Sequence, residues 1–181
     1  MSQTAVNNKQ PLGLAGMWAD SFGTTEGAAI SKCNAEASAE IPFGVMVCRG
    51  TGDNQAKLLH TSAAAMVATP LLLGVSLWHQ SYANPSEISD NNKLTPGTAF
   101  AVATSGHIYV YPEDSVTPAS DVRVRVVTTG NEVAGAFRGA ADTTDCVDIS
   151  AFARWLTSGS PTSPAVLEFN MSNVSLAVAD T

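Results

Sequence analysis

Strand periodicity and turn residues interlock most closely between residues 94 and 127. Phe100 and Val102 fall on one side of an extended segment, and the alanines at 99, 101 and 103 fall on the other, because side chains alternate across a pleated strand. Ser105-Gly106 then suits a tight turn. The β-formers at 107–111 follow and end at Pro112, which cannot donate to a ladder. The pattern predicts a hairpin with its turn at Ser105-Gly106.

A further strand is predicted after a proline-containing loop. The valines at 122, 124 and 126 alternate with Arg123 and Arg125, which is typical of a half-buried strand. We expect both arginines on the solvated face. The centre of the protein is therefore predicted to be an antiparallel sheet, not a helical or βαβ core.

The charge of the chain excludes one class of partner. Charged residues make up 14% of the sequence, against about a quarter in a typical soluble domain. Nine Lys and Arg against sixteen Asp and Glu give a net charge of −7, which repels a phosphate backbone. We expect no nucleic-acid partner, and a surface with so little charge suggests burial against another protein.

The cysteines indicate a reducing compartment, and the apolar runs bear on leader and membrane segments. Cys33, Cys48 and Cys146 match no metal-binding or redox spacing and are interpreted as small buried hydrophobes. The N-terminus lacks a signal-peptide pattern, and the longest apolar stretch, at 66–75, is interrupted by Thr69, Pro70 and Gly74. We expect neither a secretory leader nor a membrane span.

Residues 1–27 are predicted to form an extended N-terminal arm. They are rich in Gly, Asn, Gln and Ser, and their large apolar residues follow neither the period of a helix nor that of a strand. The candidate partner-binding residues in the arm are Leu14, Met17, Trp18 and Phe22. A buried aromatic ring contributes about 2 to 3 kcal/mol, so we expect the arm to dock, either on a partner or back on its own domain.

Residues 28–169 are predicted to form the β-domain, and residues 170–181 a C-terminal tail. Strands are expected at 43–48 and 56–59, on either side of a glycine-rich turn, and at 165–169. The nearly continuous apolar run 71–78 indicates a strand buried on both faces or at an interface. Its candidate interface residues are Leu71, Leu73 and Trp78.

At most one or two short helices are expected. Residues 35–40 and 61–69 have some helix propensity, but both segments are too short to be stable alone. Residues 149–156 fit a short helix with Asp148 as its N-cap, or a strand. These two alternatives remain open from sequence.

No set of residues forms a recognisable catalytic or metal site. The three histidines, His60, His79 and His107, are isolated in sequence, and Trp78 replaces the second glycine of a hydrolase nucleophile elbow. Asp142, Asp145 and Asp148 are spaced three apart without the glycine and glutamate of a calcium-binding loop. We expect no enzyme activity, no metal and no cofactor.

The order of several short motifs resembles the structural cement, or head decoration, proteins of tailed bacteriophages. The motifs are GLAGMWAD at 13–20, IPFGVMV at 41–47, GDNQAKL at 52–58, LGV at 73–75, LTPG at 94–97 and TSGHIYV at 104–110. The resemblance covers most of the chain from 13 to 169. The sequence departs from the family pattern in the loop YANPSEISDNNK at 82–93, the acidic segment near Asp142 and the long tail.

The resemblance implies an all-β, jelly-roll-like antiparallel β-sandwich on the outer surface of a virion capsid. Such a protein binds the major capsid protein, staples its subunits together and associates with itself as a homodimer or homotrimer; it is made in the cytoplasm of the bacterial host. Two rivals remain from sequence. One is an enzyme whose His and Asp residues meet only in three dimensions, and the other is a receptor- or glycan-binding module that uses Trp78, Tyr82 or Trp155.

The sequence predicts the spectrum of the isolated protein. Far-ultraviolet circular dichroism should show β-structure with little helix, because evenly spaced strand runs with turn signals dominate the chain. A spectrum with the double minimum of a mainly helical protein would contradict the predicted fold class.

Overall fold

The computed structural model describes residues 13–19, 27–59, 72–78, 93–128, 130, 132–142 and 145–171. The predictions for 61–69, for the loop at 82–92, and for the tail beyond Met171 lie outside these residues. The described elements are β1 Ala28–Asn34, β2 Ile41–Pro42, β3 Met46–Arg49, β4 Gln55–Lys57, β5 Leu72–Ser76, β6 Lys93–Leu94, β7 Ala99–Val110, β8 Arg123–Arg125, β9 Phe137–Arg138, β10 Cys146–Asp148, β11 Ala153–Trp155 and β12 Ala165–Asn170. The all-β fold class is confirmed. No helix long and apolar enough to cross a bilayer occurs in the described ranges.

The main sheet has the strand order β1-β4-β3-β5-β7-β12-β11. An additional pairing of β1 with β7 closes its first five strands into a ring. The β1–β4 pair is parallel, whereas the other described pairs are antiparallel. The antiparallel prediction is therefore right except at β1–β4, and the ring was not foreseen. The jelly-roll character remains a prediction.

Two apolar clusters occupy the two faces of the ring. One contains residues from β2, β3, β4, β6 and β7, among them Val47, Phe100 and Val102. The other joins ring residues such as Val75 to residues of β8, β9 and β10. Because β8–β10 form a separate sheet in the order β10-β8-β9, the second cluster lies outside the ring and the first fills its interior. We call β8–β10 the small sheet.

Residues 72–78 of the apolar run are covered on both faces, the first of the two predicted explanations. Strand β5 lies between β3 and β7. Leu73 packs against the interior cluster, while Val75 and Leu77 belong to the outer one. This central position explains why the strand has no polar face.

The hairpin predicted at Ser105-Gly106 is wrong. Strand β7 continues through both residues for 12 residues in all. Residues 99–105 pair with β1, and residues 105–110 pair with β12. The glycine serves a close approach to other parts of the chain and not a chain reversal, as described below.

The prediction of a solvated Arg125 is also wrong. Val122, Val124 and Val126 are buried as expected, and Arg123 is partly exposed, but the Arg125 side chain is completely buried. Alternation fixed the face on which Arg125 lies but not what covers that face. Acidic side chains from neighbouring loops cover it.

The open choice at 149–156 is settled in favour of a strand. A turn at Ile149–Phe152 leads into β11, with the Phe152 amide donating to the Ile149 carbonyl at 3.0 Å. Asp148 accepts from the Ser150 amide at 2.8 Å, so it caps the turn and not a helix. The helical turn predicted at 35–40 is likewise absent from these described residues.

The buried Trp155 provides a test of the outer cluster. Its ring is 1% exposed and its indole N–H donates to the Asp121 carbonyl at 2.9 Å. Trp155→Phe should cost about 1 kcal/mol through the lost hydrogen bond, and Trp155→Ala about 3 to 5 kcal/mol through the cavity. Thermal unfolding monitored by circular dichroism measures both variants. Equal melting temperatures for Trp155→Ala and the parent would contradict the packing described here.

Candidate interaction surface

Residues 13–19 of the arm fold back onto their own domain. The amides of Gly16 and Ala19 donate to the carbonyls of Tyr109 and His107 at 2.8 and 2.9 Å. The Tyr109 amide donates to the Met17 carbonyl at 2.9 Å, and Trp18 pairs with Ile108 as an antiparallel bridge. This part of the arm therefore extends the sheet along β7, and of the two predicted destinations it takes its own domain.

The Trp18 ring packs against two glycines, Gly27 and Gly106. A Cβ atom at Gly27 or at Gly106 would lie 2.7 Å from the indole ring, which is closer than real Cβ contacts come. Gly106 also has a φ of +124°, which side-chain-bearing residues rarely adopt. Gly27 and Gly106 are thus required for the ring to pack between the arm, the start of β1 and the middle of β7.

Trp18 remains partly exposed to solvent in this position. The side chain is 37% exposed, and Ile30 on β1 is 38% exposed. Since burial of the area that is still exposed would contribute about 1 kcal/mol for each side chain, we take Trp18 and Ile30 as candidate anchors for a partner.

Among the described residues, part of the backbone edge of β1 beside these anchors is unpaired. Strand β1 pairs with β7 along its length, but with β4 only at Cys33 and Asn34. The Cys33 amide donates toward β4, to the Asn54 carbonyl at 2.7 Å. Because backbone groups alternate between the two edges of a strand, Ser31 and Ala29 face the same edge, where no described strand pairs with them.

We call Trp18 and residues 27–31 the β1 strip. Gly27, Ala28, Ala29, Ile30 and Ser31 are all exposed, and none carries a charge. Natural sheet edges are usually protected by charge, proline or a covering segment. An uncharged, exposed edge flanked by apolar side chains is a typical site for strand addition by a partner.

The candidate residues from sequence fall in different places. Leu14 is exposed, Met17 is partly buried on β7, and Trp18 lies in the β1 strip. Leu73 and Trp78 are partly buried against the interior cluster, and the Trp78 amide donates to the Gly16 carbonyl at 2.9 Å. Of these two residues, Trp78 holds the arm through its backbone. Phe22 and Leu71 lie outside the described residues.

Sequence reasoning missed Ile30 and the open edge of β1. The only local signal was an uncharged Ala-Ala-Ile-Ser segment between Gly27 and Lys32. Whether a strand lies at an edge depends on which distant segments pair with it, so no local pattern could have identified the edge.

A buried charge cluster centred on Arg125 is the second feature missed. Its Nε donates to both carboxylate oxygens of Glu113 at 2.9 Å, and its Nη2 lies 2.7 Å from Asp142 and 2.8 Å from Glu132. Arg138 joins the cluster, with Nη1 at 2.8 Å from Asp142 and 3.3 Å from Glu113. Asp142, a residue of the sequence-predicted acidic segment, is thus an ion-pair partner.

Burial and pairing shift the pKa values of two carboxyl groups of this cluster, those of Glu113 and Asp142, in opposite directions. Burial raises the pKa of Glu113 above its ordinary value, although Arg125 and Arg138 act against this shift. The hydrogen bond from Arg125 lowers the pKa of Asp142 below its ordinary value. Glu113 therefore takes up a proton before Asp142 does as the pH falls.

His107, Glu168 and Cys48, which lie outside the cluster, make structural contacts. His107 lies 3.5 Å from Glu168, which also pairs with Arg154 on the neighbouring strand. Burial raises the pKa of the Cys48 thiol to about 11, so it is not poised as a nucleophile. In the described part of the chain, no group of three or more His, Cys, Asp or Glu side chains is arranged to hold a metal ion.

An open cleft lies beside β11 and has a volume of about 330 Å³. Ser105, Ser150, Phe152, Arg154 and Asn170 are among its lining residues. Trp155, one of the aromatic residues suggested for glycan binding, is buried and hydrogen-bonded, so it cannot stack on a sugar. Tyr82, another, lies outside the described residues.

Comparisons with known proteins identify the family. Residues 1–170 match the structural cement protein family, described as E217 gp24/Pam3 gp6. Among solved structures, a chain from "The capsid of Myoviridae Phage XM1" is similar in fold, with a TM-score of 0.62 and 15% identity over 92% of this chain and 95% of that one. No curated protein matches. The chain belongs to the phage structural cement protein family, and its role is that of a capsid-associated structural protein.

Proposed function

We propose that the protein binds the outer surface of a tailed-phage capsid and stabilises the shell by bridging subunits of the major capsid protein. The observation that carries this proposal is the open edge of β1 flanked by the exposed side chains of Trp18 and Ile30. The proposed site of synthesis is the cytoplasm of the bacterial host.

Strand addition supplies the affinity. An extended capsid segment laid against β1 would find an N–H and a C=O on each of Ala29 and Ser31, and each hydrogen bond formed contributes about 0.5 to 1.5 kcal/mol net. Trp18 and Ile30 add apolar area for burial beside that ladder. Anchors of this type, and aromatic ones above all, often dominate interfaces.

The low charge of the strip suits a shell partner. The protein carries a net charge of −7, yet residues 27–31 contribute none of it. A partner therefore docks there without having to desolvate a charged side chain, which would oppose binding. Charge on the remaining surface keeps the free protein soluble before assembly.

The arm contributes by fixing Trp18. Leu14, Met17 and Trp18 belong to a segment that lies on β7 and is supported by Trp78. In the proposal, Trp18 and Leu14 contact capsid directly, and Leu73 and Trp78 lie beneath them. Phe22 and Leu71 remain candidate contact residues.

Copies of the protein are proposed to meet around a symmetry axis of the shell as a homodimer or homotrimer. Closed symmetric contacts reuse the same patch on every copy, and a shell repeats each contact many times. Multivalent attachment then makes a modest affinity per copy sufficient. Particle images that resolve isolated copies without mutual contact would contradict this part of the proposal.

A charge placed on the open edge tests the β1 strip. Ile30→Lys should leave the fold intact, because the side chain is exposed, and should reduce capsid occupancy at least about tenfold, which corresponds to the loss of about 1.4 kcal/mol per copy. Cosedimentation with undecorated capsids measures the occupancy. Thr162→Lys adds the same charge to an exposed turn residue outside the β1 strip and serves as the matched control.

The outcomes distinguish an error in the contact surface from an error in the proposed function. If Ile30→Lys and Thr162→Lys both bind as the parent does, the β1 strip is not the contact and another surface carries the capsid role. If the parent protein itself fails to sediment with capsids, the proposed function is wrong.

Removal of the aromatic anchors tests the arm. Trp18→Ala with Phe22→Ala should lower capsid occupancy, since truncation of a buried interface aromatic commonly costs about 2 kcal/mol or more. Deletion of residues 1–27 should lower occupancy further, because it also removes the backbone bonds to β7. A melting curve accompanies each binding measurement. Full occupancy of the deletion variant would refute the role of the arm, and loss of folding would assign the arm to the core instead.

A further inference from the structure

The Arg125 cluster joins the small sheet to the end of the main sheet. Arg125 lies on β8 and Arg138 on β9, while Glu113 lies shortly after β7. The Glu113 carboxylate accepts from both arginines, and the Glu113 amide donates to the Phe137 carbonyl at 2.8 Å. The two sheets are therefore joined by these polar contacts as well as by the outer apolar cluster.

The cluster contains one more carboxylate than it has cations. Glu113, Glu132 and Asp142 face Arg125 and Arg138. Protonation of one carboxylate brings the cluster to neutrality, whereas protonation of a second leaves a net positive charge. Since the Arg125 side chain has no solvent exposure and stays charged throughout, that second step leaves an uncompensated charge in the interior.

Arg123, Asp114 and Cys146, which lie near this face, do not change that count. Arg123 on the same strand is held by Asp121 at 2.8 Å and Asp148 at 3.6 Å. Asp114 accepts from the amides of Gly139 and Ala140 at 2.8 Å. Cys146 on β10 is opposite Arg125 in the strand register, and burial raises the pKa of its thiol, so it stays neutral in acid.

We propose that the Arg125 cluster is a proton-dependent clasp, which holds the small sheet more tightly after a first protonation at Glu113 and releases it after a second at Asp142. This inference concerns the stability of the protein itself and does not depend on the capsid role.

The direction of each step follows from proton linkage. The pKa of Glu113 is raised above 4.5 in the closed state, so that state binds the proton more tightly than an opened, solvated one; the resulting stability is full below 4.5 and is lost as pH rises through the raised pKa. The pKa of Asp142 is lowered below 3.8, so its contribution is present above 3.8 and lost as pH falls through the lowered pKa.

Hydrogen–deuterium exchange of the parent protein tests the clasp directly. The measured quantity is the protection factor of each amide in β8–β10, corrected for the intrinsic pH dependence of exchange and compared with amides of β3 and β7. These protection factors should rise on mild acidification and fall below pH 3.8. Each step changes the opening constant by at most about tenfold per pH unit for one proton. A flat profile, or one that only falls from neutral pH downward, would overturn the proposal.

Two substitutions assign the steps. Glu113→Gln resembles the protonated carboxyl and should keep the small sheet protected while abolishing the rise. Asp142→Asn should reduce protection at neutral pH and replace the rise by a fall on mild acidification, because protonation of Glu113 then leaves the two arginines facing Glu132 alone. The two together leave two arginines facing Glu132 alone and should open the small sheet at neutral pH.

The matched control is Glu168→Gln. Glu168 pairs with Arg154 on the main sheet, so its replacement removes an ion-paired carboxylate without touching the cluster. The profile of β8–β10 should be unchanged in this variant. A rise that survives in Glu113→Gln, or that vanishes equally in Glu168→Gln, would show that Glu113 is not the first proton acceptor.

Discussion

Strand β7 is the element on which the rest of the structure depends. Its backbone is paired along both edges: β1 and β12 share one edge, and β5 and the arm share the other. Its side chains serve both apolar clusters, with Phe100 and Val102 inside the ring and Ala103, Ile108 and Val110 outside it. A strand of 12 residues is long enough to close the ring with its first half and to carry β12 and the arm with its second. A turn at Ser105-Gly106 would have separated these functions.

The same strand links the fold to the proposed contact. Gly106 lets the Trp18 ring approach β7, and Gly27 lets it approach the start of β1. Intramolecular packing therefore fixes the position of Trp18, although the ring remains partly exposed. A prepositioned anchor loses less conformational entropy on binding than one on a free arm. The neighbouring backbone edge of β1 is held equally rigidly by its ladder with β7, which prepares both parts of the β1 strip for a partner.

The buried Arg125 shows why an ion cluster behaves differently from an apolar core. Hydrophobic side chains of similar volume would stabilise the junction of the two sheets at least as well, since the desolvation of charges offsets much of their attraction. What an ion cluster adds is dependence on conditions. Its stability varies with protonation, whereas the packing of Phe137 or Trp155 does not. The two sheets are thus joined by one contact that is insensitive to pH and one that responds to it.

The sequence by itself determined the all-β class, the positions of the longer strands and the buried faces of β7 and β8, because alternation and turn chemistry act over a few residues. Phe100, Val102 and the valines of β8 are buried as the pattern predicted. The family could also be recognised from the order of short motifs. Trp18 was identified as an anchor because a large aromatic without a periodic scaffold is costly to leave in water.

Only the tertiary structure decided which strands lie at edges, what covers each face and whether Ser105-Gly106 reverses the chain. Arg125 is buried because Glu113, Glu132 and Asp142 converge on it from three connections, and Ile30 is exposed because β4 pairs only with the end of β1. Each of these outcomes depends on contacts between different connections and strands, which lie beyond the few residues that a local pattern spans. Local preference cannot encode them, since the same dipeptide or alternating run is compatible with either environment until its distant partners are in place.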